Sequence, residues 1–309
     1  MFYLLALTIS LLTCSPGKEV YAHYGHSAIR VVDTETDIDW VFNYGLFDFE
    51  TDHFYSKFVK GETYYELGIQ DDRYFATEYA YEGRQVYEQV LNLTDSQAVS
   101  IFQALMVNYE PLNRTYLYNF VFDNCATRPY KLIRDALGGT LSSTYNAVDG
   151  MTYRQLLNRY TNPDSWVGFG INMVFGKKAD VPLHGDMCVF LPDQLMFYIS
   201  EATLPNGTPL VQQEQIAPFT FTPTPWYATW YFGYALMIIL MLLITLWDRK
   251  RQRWSWYFDL PFALVWLMLF GIAFYLANFS IHPFVGFNIR LVLFPITHLC
   301  VRLLYLVRS

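Results

Sequence analysis

The sequence predicts an α+β domain followed by a domain of about three transmembrane helices. Two observations predict this division. Hydrophobic residues make up 53% of the chain and charged residues only 16%, a balance far from that of an average soluble domain. The charge is also uneven, because residues 226–309 carry a net +5 whereas the whole chain of 309 residues carries −7, which leaves residues 1–225 at −12. An acidic domain joined to a basic, apolar one indicates a membrane-anchored protein.

The same composition argues against several partners and cofactors. An acidic domain is repelled by the phosphates of nucleic acid, so we predict no nucleic-acid partner. Four cysteines without C-x-x-C spacing are too few for a disulfide framework. His23 and His26 are three residues apart and would face opposite sides of a strand, and no Asp, Glu or His completes a zinc site. We therefore predict neither a metal nor another cofactor.

Residues 1–13 form an apolar segment with two interpretations. They are typical of a signal-peptide core, but the segment has no Lys or Arg and no A-x-A cleavage site. Alternatively, Thr8–Cys14 is a buried first strand that ends at Ser15-Pro16-Gly17. We favour the strand.

The predicted polar domain spans residues 14–202 and mixes strands with helices. Alternation of apolar and polar residues predicts strands at Ser27–Val32, Asp39–Tyr44, Tyr64–Ile69 and Arg84–Leu93. The clearest helix covers residues 94–110, where Thr94 and Gln97 have the spacing of a capping box. Shorter helices are predicted after Cys125, at Tyr153–Tyr160 and at Asp193–Ser200. Residues 203–225, rich in Pro, Thr and Gln, are predicted to be a tether.

Residues 226–309 are predicted to be transmembrane. The span 227–247 has no charged residue, and at ~1.5 Å per residue it is long enough to cross a hydrocarbon core of ~30 Å. The basic loop 248–253 follows directly, and the positive-inside rule predicts that it lies in the cytoplasm. Two further apolar spans are predicted at 260–281 and 291–307. The acidic domain is then on the outer side of the membrane.

Cys125 is the candidate nucleophile. It follows Asp123 and Asn124, two residue types that cap helices, and it precedes a predicted helix. Free N–H groups and the helix dipole at this position favour a thiolate. The alternative is a buried core cysteine, which is common for a lone Cys.

His26 is the candidate base for Cys125. Gly25 allows a close backbone approach, and the strand Ser27–Val32 would hold the ring rigidly. Imidazole can accept a proton near neutral pH and can activate a second nucleophile. A third group usually orients the imidazole, and Asn43 is the first choice for it, with Tyr44 as the second. An asparagine shortly before a glycine is equally typical of a turn.

Four further residues are candidates for supporting roles. The backbone N–H of Cys125 is the natural donor to an oxyanion, and Asn124 and Arg128 are candidates to supplement it. Arg128 alternatively pairs with an acidic residue. Glu82 and Arg84 lie in a charged turn and are candidates for positioning a substrate.

Several ordered segments together resemble one known family. They are Leu11-Leu-Thr-Cys14-Ser-Pro-Gly17, Tyr24-Gly-His26-Ser-Ala-Ile-Arg30, Phe42-Asn-Tyr-Gly45-Leu-Phe-Asp-Phe49, Tyr81-Glu-Gly-Arg84 and Phe122-Asp-Asn-Cys125-Ala-Thr-Arg128. The family is that of the lipoprotein N-acyltransferase of Bacteroides, which has an N-terminal periplasmic domain and C-terminal membrane helices. The resemblance covers most of residues 8–309 and implies that His26 and Cys125 are catalytic. The order of His before Cys also resembles circularly permuted NlpC/P60 enzymes, which have a papain-like fold.

The resemblance implies a cysteine-dependent acyltransferase of the cell inner membrane. A phospholipid would donate an acyl chain to Cys125, forming a thioester. The acceptor would be the α-amine of the lipid-modified N-terminal cysteine of a lipoprotein, and the lipid bilayer would be the third partner. Two alternatives remain: a membrane-anchored NlpC/P60-type cell-wall amidase or peptidase, and a non-catalytic lipoprotein-binding module.

Overall fold

The computed structural model describes residues 7–19, 22–212, 216–289, 296 and 300–302. The chain divides into two compact units. The first contains Met1–Met151 and Pro182–Thr220, and the second contains Thr152–Val181 and Phe221–Ser309. This division assigns residues 152–181, which belong to the predicted 14–202 domain, to the same unit as the long apolar helices.

A six-stranded antiparallel sheet forms the centre of the first unit. Its strands are β1 (Leu7–Cys14), β2 (His26–Asp33), β3 (Ile38–Leu46), β4 (Tyr64–Asp71), β5 (Val86–Val90) and β6 (Thr115–Leu117). Their order in the sheet is β5-β1-β2-β3-β4-β6. Strand β1 is buried along almost its whole length, because strands flank both of its edges and helices pack on its side chains. A separate pair, β7 (Ser142–Ser143) and β8 (Ala202–Thr203), completes the described strands.

The described helices are α1 (Phe54–Lys60), α2 (Asp72–Tyr81), α3 (Asp95–Tyr109), α4 (Thr127–Ala136), α5 (Tyr153–Thr161), α6 (Trp166–Val174), α7 (Pro192–Ser200), α8 (Trp230–Arg251) and α9 (Trp256–Phe279). Helix α2 packs Phe75 and Tyr79 against a core that includes Leu12 and Val41 of the sheet. Helices α3 and α7 both pack on β1, and α3 also contacts α4. The sheet therefore lies among helices of its own unit, and its buried strands hold the site described below.

Most elements predicted from alternation and capping are confirmed with ends shifted by a few residues. The strand interpretation of the N-terminal segment holds for Leu7–Cys14. The capping box of Thr94 and Gln97 is present at the start of α3. Pro129 does not distort α4, because it is the third helical residue, whose N–H would lack a partner within the helix in any case. Most of α1 lies in the aromatic segment Phe47–Phe58, for which the sequence predicted no helix.

The first part of the predicted tether, 203–225, is held by the first unit. Leu91 forms a β-bridge with Val211, and Gln212 N–H donates to Val90 O at 3.0 Å. Leu210 N–H also donates to Ala202 O at 2.9 Å. The bonds of Val211 and Gln212 add an irregular segment at the β5 edge of the sheet. The sequence did not predict this segment, because it has no hydrophobic periodicity.

The second unit contains two long apolar helices. Among the described residues, α8 and α9 are long and apolar enough to cross a membrane. They correspond to the predicted spans 227–247 and 260–281, although α9 begins four residues earlier. The predicted span 291–307 lies almost entirely outside the described residues.

Candidate active site

Cys125 lies two residues before α4 and is buried, with 9% of its surface exposed. Burial raises the pKa of its thiol to about 11, and hydrogen bonds from the N–H groups of Ser27 and of Cys125 itself lower the pKa only in part. The backbone N–H groups at the sulfur thus favour the thiolate, as expected, but burial shifts the pKa further in the opposite direction. The thiol is protonated at neutral pH and needs a base.

His26 is the first residue of β2, and its ring is held by Asn43 on β3. The distance from His26 Nε2 to Asn43 Oδ1 is 2.5 Å. Because an amide oxygen only accepts, Nε2 carries the proton and Nδ1 has the free lone pair. Burial lowers the pKa of His26 to about 4; the bond to Asn43 opposes this shift, and the charge of Arg84 adds to it. His26 is thus a neutral imidazole at neutral pH.

A backbone contact brings Cys125 to His26. The Cys125 sulfur accepts a hydrogen bond from Ser27 N–H, and Ser27 directly follows His26 in the chain. Since β2 and β3 are antiparallel, the start of β2 and the end of β3 meet, which places Asn43 at this same end of the sheet. The structure therefore gathers Cys125, His26 and Asn43 into one site. A neutral thiol next to a neutral imidazole can exchange a proton when an electrophile arrives.

Two glycines with positive φ make this packing possible. Gly25 has φ 77°, and a Cβ there would lie 2.7 Å from Cys14 O. The predicted close backbone approach is thus confirmed. Gly45 has φ 93° and lies in a β-bulge between Tyr44 and Leu46. A Cβ at Gly45 would lie 3.6 Å from the Cβ of Cys125, at ordinary van der Waals distance, so Gly45 lies directly beside the nucleophile.

Tyr44, the second choice for the orienting group, has a different partner. Its hydroxyl accepts a hydrogen bond from Asn108 Nδ2 at 2.8 Å. Successive residues on a strand face opposite sides, so Tyr44 and Asn43 point to different faces of β3. Of the two predicted candidates, the structure places only Asn43 against His26.

Asn124 caps α4 from inside the protein. Its Oδ1 accepts hydrogen bonds from the N–H groups of Ala126 at 2.9 Å and Thr127 at 2.8 Å. Its Nδ2 donates to the carbonyl oxygens of Phe120 and Phe190. These bonds occupy the whole amide, so Asn124 shapes the turn that carries Cys125 and has no free donor for an oxyanion.

Arg128 forms an ion pair, as its alternative interpretation anticipated. It makes two hydrogen bonds of 2.8 Å to the carboxylate of Asp123. Its guanidinium lies 3.5 Å from the ring centroid of Tyr116. Arg128 therefore braces the segment before α4 and the neighbouring strand β6.

Glu82 and Arg84 pair with one another at 2.9 Å. The Arg84 side chain is largely covered, with 9% of its surface exposed, and its Nε donates to Ser15 O at 2.7 Å. It also lies over the ring of Tyr79. The structure does not place Glu82 or Arg84 on Cys125, and Arg84 acts on His26 only through its charge.

Three tyrosines lie near Cys125: Tyr65 and Tyr116 are buried, and Tyr118 is half-buried. Burial raises the pKa of Tyr65 to about 12, and it also raises those of Tyr116 and Tyr118; the nearby Cys125 contributes to each shift. The rings of Tyr65 and Tyr118 are 4.1 Å apart, and Tyr65 also contacts Phe47 at 5.0 Å. An aromatic lining therefore leads away from the thiol.

The sequence did not predict the parts of the site that come from the backbone. Ser27 contributes an N–H, which any residue type has, so no residue signal marks it. Gly45 stood in the Phe42-Asn-Tyr-Gly45 segment, but its role depends on the distant Cys125. Among the described residues, no group of three or more His, Cys, Asp or Glu side chains is arranged to hold a metal ion.

Comparison with known families identifies the two parts of the chain. The model of the Lnb N-terminal periplasmic domain matches residues 2–159, and that of the Lnb transmembrane domain matches residues 219–309. Neither the curated proteins nor the solved structures that were compared include a match. The chain is thus a membrane protein with a periplasmic domain, and it belongs to the Lnb family of lipoprotein N-acyltransferase-like proteins.

Proposed function

We propose that this protein is a lipoprotein N-acyltransferase that uses Cys125 as its acyl carrier and His26 as its base. The observation that carries the proposal is the hydrogen bond from Ser27 N–H to the Cys125 sulfur, which holds the thiol beside a histidine fixed by Asn43. Membership of the Lnb family supports the choice of lipid and lipoprotein as substrates. The order of His before Cys supports a permuted NlpC/P60-like domain.

The first half-reaction loads the acyl chain. His26 Nδ1 takes the thiol proton while the sulfur attacks the ester carbonyl of a phospholipid. The tetrahedral intermediate expels the glycerol oxygen, which takes the proton from His26 and leaves as a lysophospholipid. Cys125 then carries the acyl chain as a thioester.

The second half-reaction transfers the chain to the lipoprotein. The α-amine of its diacylglyceryl cysteine attacks the thioester, and His26 accepts a proton from the amine. Collapse of the intermediate releases the thiolate, which recovers that proton, and forms the amide. The buried position of Cys125 and its tyrosine lining favour transfer over hydrolysis, because they keep water from the thioester.

The proposed topology is multi-pass, with the acidic domain in the periplasm. Helix α8 ends in Arg249, Lys250 and Arg251, and the positive-inside rule places this end in the cytoplasm. In a Cys300→Ser chain, the cysteine introduced by Gln252→Cys should react with a membrane-impermeant maleimide only in inverted vesicles. A cysteine in place of the exposed Tyr81 should react only from the other side. Labelling of both from the same side would contradict this topology.

Mass spectrometry of the intact protein tests the enzyme mechanism. Wild type incubated with phospholipid should gain the mass of one acyl chain on Cys125, and addition of a diacylglyceryl lipopeptide should discharge it. Cys125→Ala should form no adduct and no N-acyl product. N-acylation by Cys125→Ala would overturn the mechanism. A cleaved cell-wall peptide without lipopeptide product would favour the amidase, and lipopeptide binding without any adduct would favour a binding module.

A further inference from the structure

Tyr116 has a buried hydroxyl group that no described residue satisfies. The residue is 7% exposed, and its hydroxyl oxygen has no hydrogen-bond partner within the part of the chain that the structure describes. Leaving a buried polar group unpaired costs about 1–3 kcal/mol, so such a group in a native protein calls for an explanation. A group of this kind is often reserved for a ligand or a reacting atom.

The unpaired hydroxyl and Cys125 lie on the same side of Gly45. The Cβ position that Gly45 lacks lies 3.6 Å from Cys125 Cβ, 3.9 Å from the Tyr116 hydroxyl oxygen and 4.0 Å from Tyr118 Cε2. One point beside Gly45 is therefore within 4 Å of both Cys125 and the free hydroxyl. We expect the carbonyl of an acyl group bonded to Cys125 to come within reach of this hydrogen-bond donor.

Tyr116 is also held firmly. Arg128 lies 3.5 Å from its ring centroid, and Asp123 fixes Arg128 through two hydrogen bonds. Strand β6 pairs Tyr116 with Tyr65 of β4. Burial also raises the pKa of Tyr116, so the phenol keeps its proton and remains a donor at neutral pH. A donor that does not reorganise during the reaction is what oxyanion stabilisation requires.

We propose that the Tyr116 hydroxyl is a catalytic group that donates a hydrogen bond to the oxyanion formed when Cys125 attacks an acyl carbonyl. This inference rests on the proposed acyl transfer at Cys125. The sulfur bonds to the carbonyl carbon, and the π electrons move to the oxygen, which accepts the hydrogen bond without taking the tyrosine proton. When the intermediate collapses, the electrons return and the leaving oxygen takes its proton from His26. Tyr116 thus has the oxyanion-donor role for which the sequence suggested Asn124, whose amide group is already fully hydrogen-bonded.

The test compares Tyr116→Phe with Tyr65→Phe in the full-length chain. Both tyrosines are buried near Cys125, but the Tyr65 hydroxyl is bonded to Thr63. We expect Tyr116→Phe to slow acylation of Cys125 by a p-nitrophenyl ester by about 10²-fold, with KM changed little. Its thermal unfolding temperature should be unchanged or higher, since an unpaired polar atom is removed. Tyr65→Phe should keep most of its rate and lose stability instead.

The outcomes separate this inference from the proposed function. A rate for Tyr116→Phe within about threefold of wild type, in a folded protein, would overturn the role of Tyr116. If Tyr116→Phe loses stability, 3-fluorotyrosine at position 116, which keeps the shape and the donor, decides the question: a retained rate supports the role, and a rate as low as that of the phenylalanine variant contradicts it. If the ester acylates Cys125 in a Tyr116-dependent way but no lipopeptide is N-acylated, the proposed function fails and the inference about Tyr116 stands.

Discussion

At the scale of single residues, the site holds a thiol and an imidazole that are both uncharged near neutral pH. Burial is the main cause in each case, raising the pKa of Cys125 to about 11 and lowering that of His26 to about 4. Because His26 accepts the proton only during attack, the site resembles a general-base system rather than a preformed ion pair. The unreacted thiol is then a weak nucleophile toward chance electrophiles.

The first prediction concerns the pH dependence of Cys125 acylation. Protonation of His26 removes the base, so the rate should fall only as the pH drops towards 4, and not near 6.5 as for an ordinary histidine. Between the pKa of His26, about 4, and that of Cys125, about 11, the rate should be nearly constant. A pH profile of ester acylation in the full-length chain measures this. An acid limb centred near 6.5 would contradict the neutral, buried imidazole.

The second prediction concerns Asn43, which acts through His26. In Asn43→Asp, a carboxylate accepts the Nε2 proton and stabilises the imidazolium, so the acid limb should move up by about one pH unit or more. Asn43→Ala should lower kcat by about tenfold or more without moving the limb upward, since the ring is no longer oriented. A structural role alone would not shift the pH profile. Equal profiles for wild type and Asn43→Asp would therefore argue against an orienting role.

At the scale of elements, the turn that carries Cys125 depends on the side chain of Asn124. This amide accepts from the N–H groups of Ala126 and Thr127 at the start of α4, and it donates to the carbonyl oxygens of the nearby Phe120 and the distant Phe190. The third prediction is that Asn124→Ala lowers the free energy of unfolding of the first unit by about 1–3 kcal/mol. Thermal unfolding in detergent measures this, with Asn92→Ala as a control, because Asn92 is exposed and its Nδ2 donates a long hydrogen bond of 3.4 Å to Pro209 O. Equal losses would contradict the capping role.

The fourth prediction uses the backbone at the start of β2. Gly25 and Gly83 both have positive φ, but a Cβ at Gly25 meets Cys14 O at 2.7 Å, whereas one at Gly83 meets nothing within 4 Å. Gly25→Ala should therefore lower both stability and the acylation rate at Cys125, because β2 must shift and it carries His26. Gly83→Ala should cost only about 1 kcal/mol of backbone strain and keep the rate. Similar rates for the two variants would show that the close approach at Gly25 does not position His26.

The local sequence pattern predicted the strands and helices that carry the site better than it predicted the contacts between their side chains. The pairing of His26 with Asn43 followed from two alternating strands joined by a short polar turn, which is information within about twenty residues. Helix α1 was missed because it has seven residues and is preceded by His53, whose φ is positive and whose side chain makes no capping hydrogen bond. Arg84 was assigned to substrate positioning because its bond to Ser15, 69 residues away, leaves no periodic signal. The net pKa of Cys125 also depends on burial, which only the folded chain shows.

At the scale of the whole molecule, the acidic residues of the membrane domain share one partner. Asp248 and Asp259 are the only Asp or Glu residues in 226–309. Both carboxylates lie 2.8 Å from Arg302 Nη2, and Ser255 donates twice to Asp248. Asp248 and the Arg302 side chain are almost completely buried. Charges in such positions persist only when paired, so this cluster ties the end of α8 to the start of α9 and to the segment containing Arg302.

The fifth prediction is that Arg302→Met destabilises the second unit more than any loss of a single surface charge. Removing the cation leaves two carboxylates without their shared partner, and one of these carboxylates is fully buried. Breaking a buried ion pair in this way costs about 3–5 kcal/mol of stability. Thermal unfolding of the detergent-solubilised chain measures this, with Arg253→Met as the control because Arg253 is exposed. Adding Asp248→Asn and Asp259→Asn to Arg302→Met should restore part of the loss, since no unpaired charge then remains. If the triple variant is less stable than Arg302→Met alone, the cluster stabilises the unit through its shape and hydrogen bonds, and pairing of charge is not its main contribution.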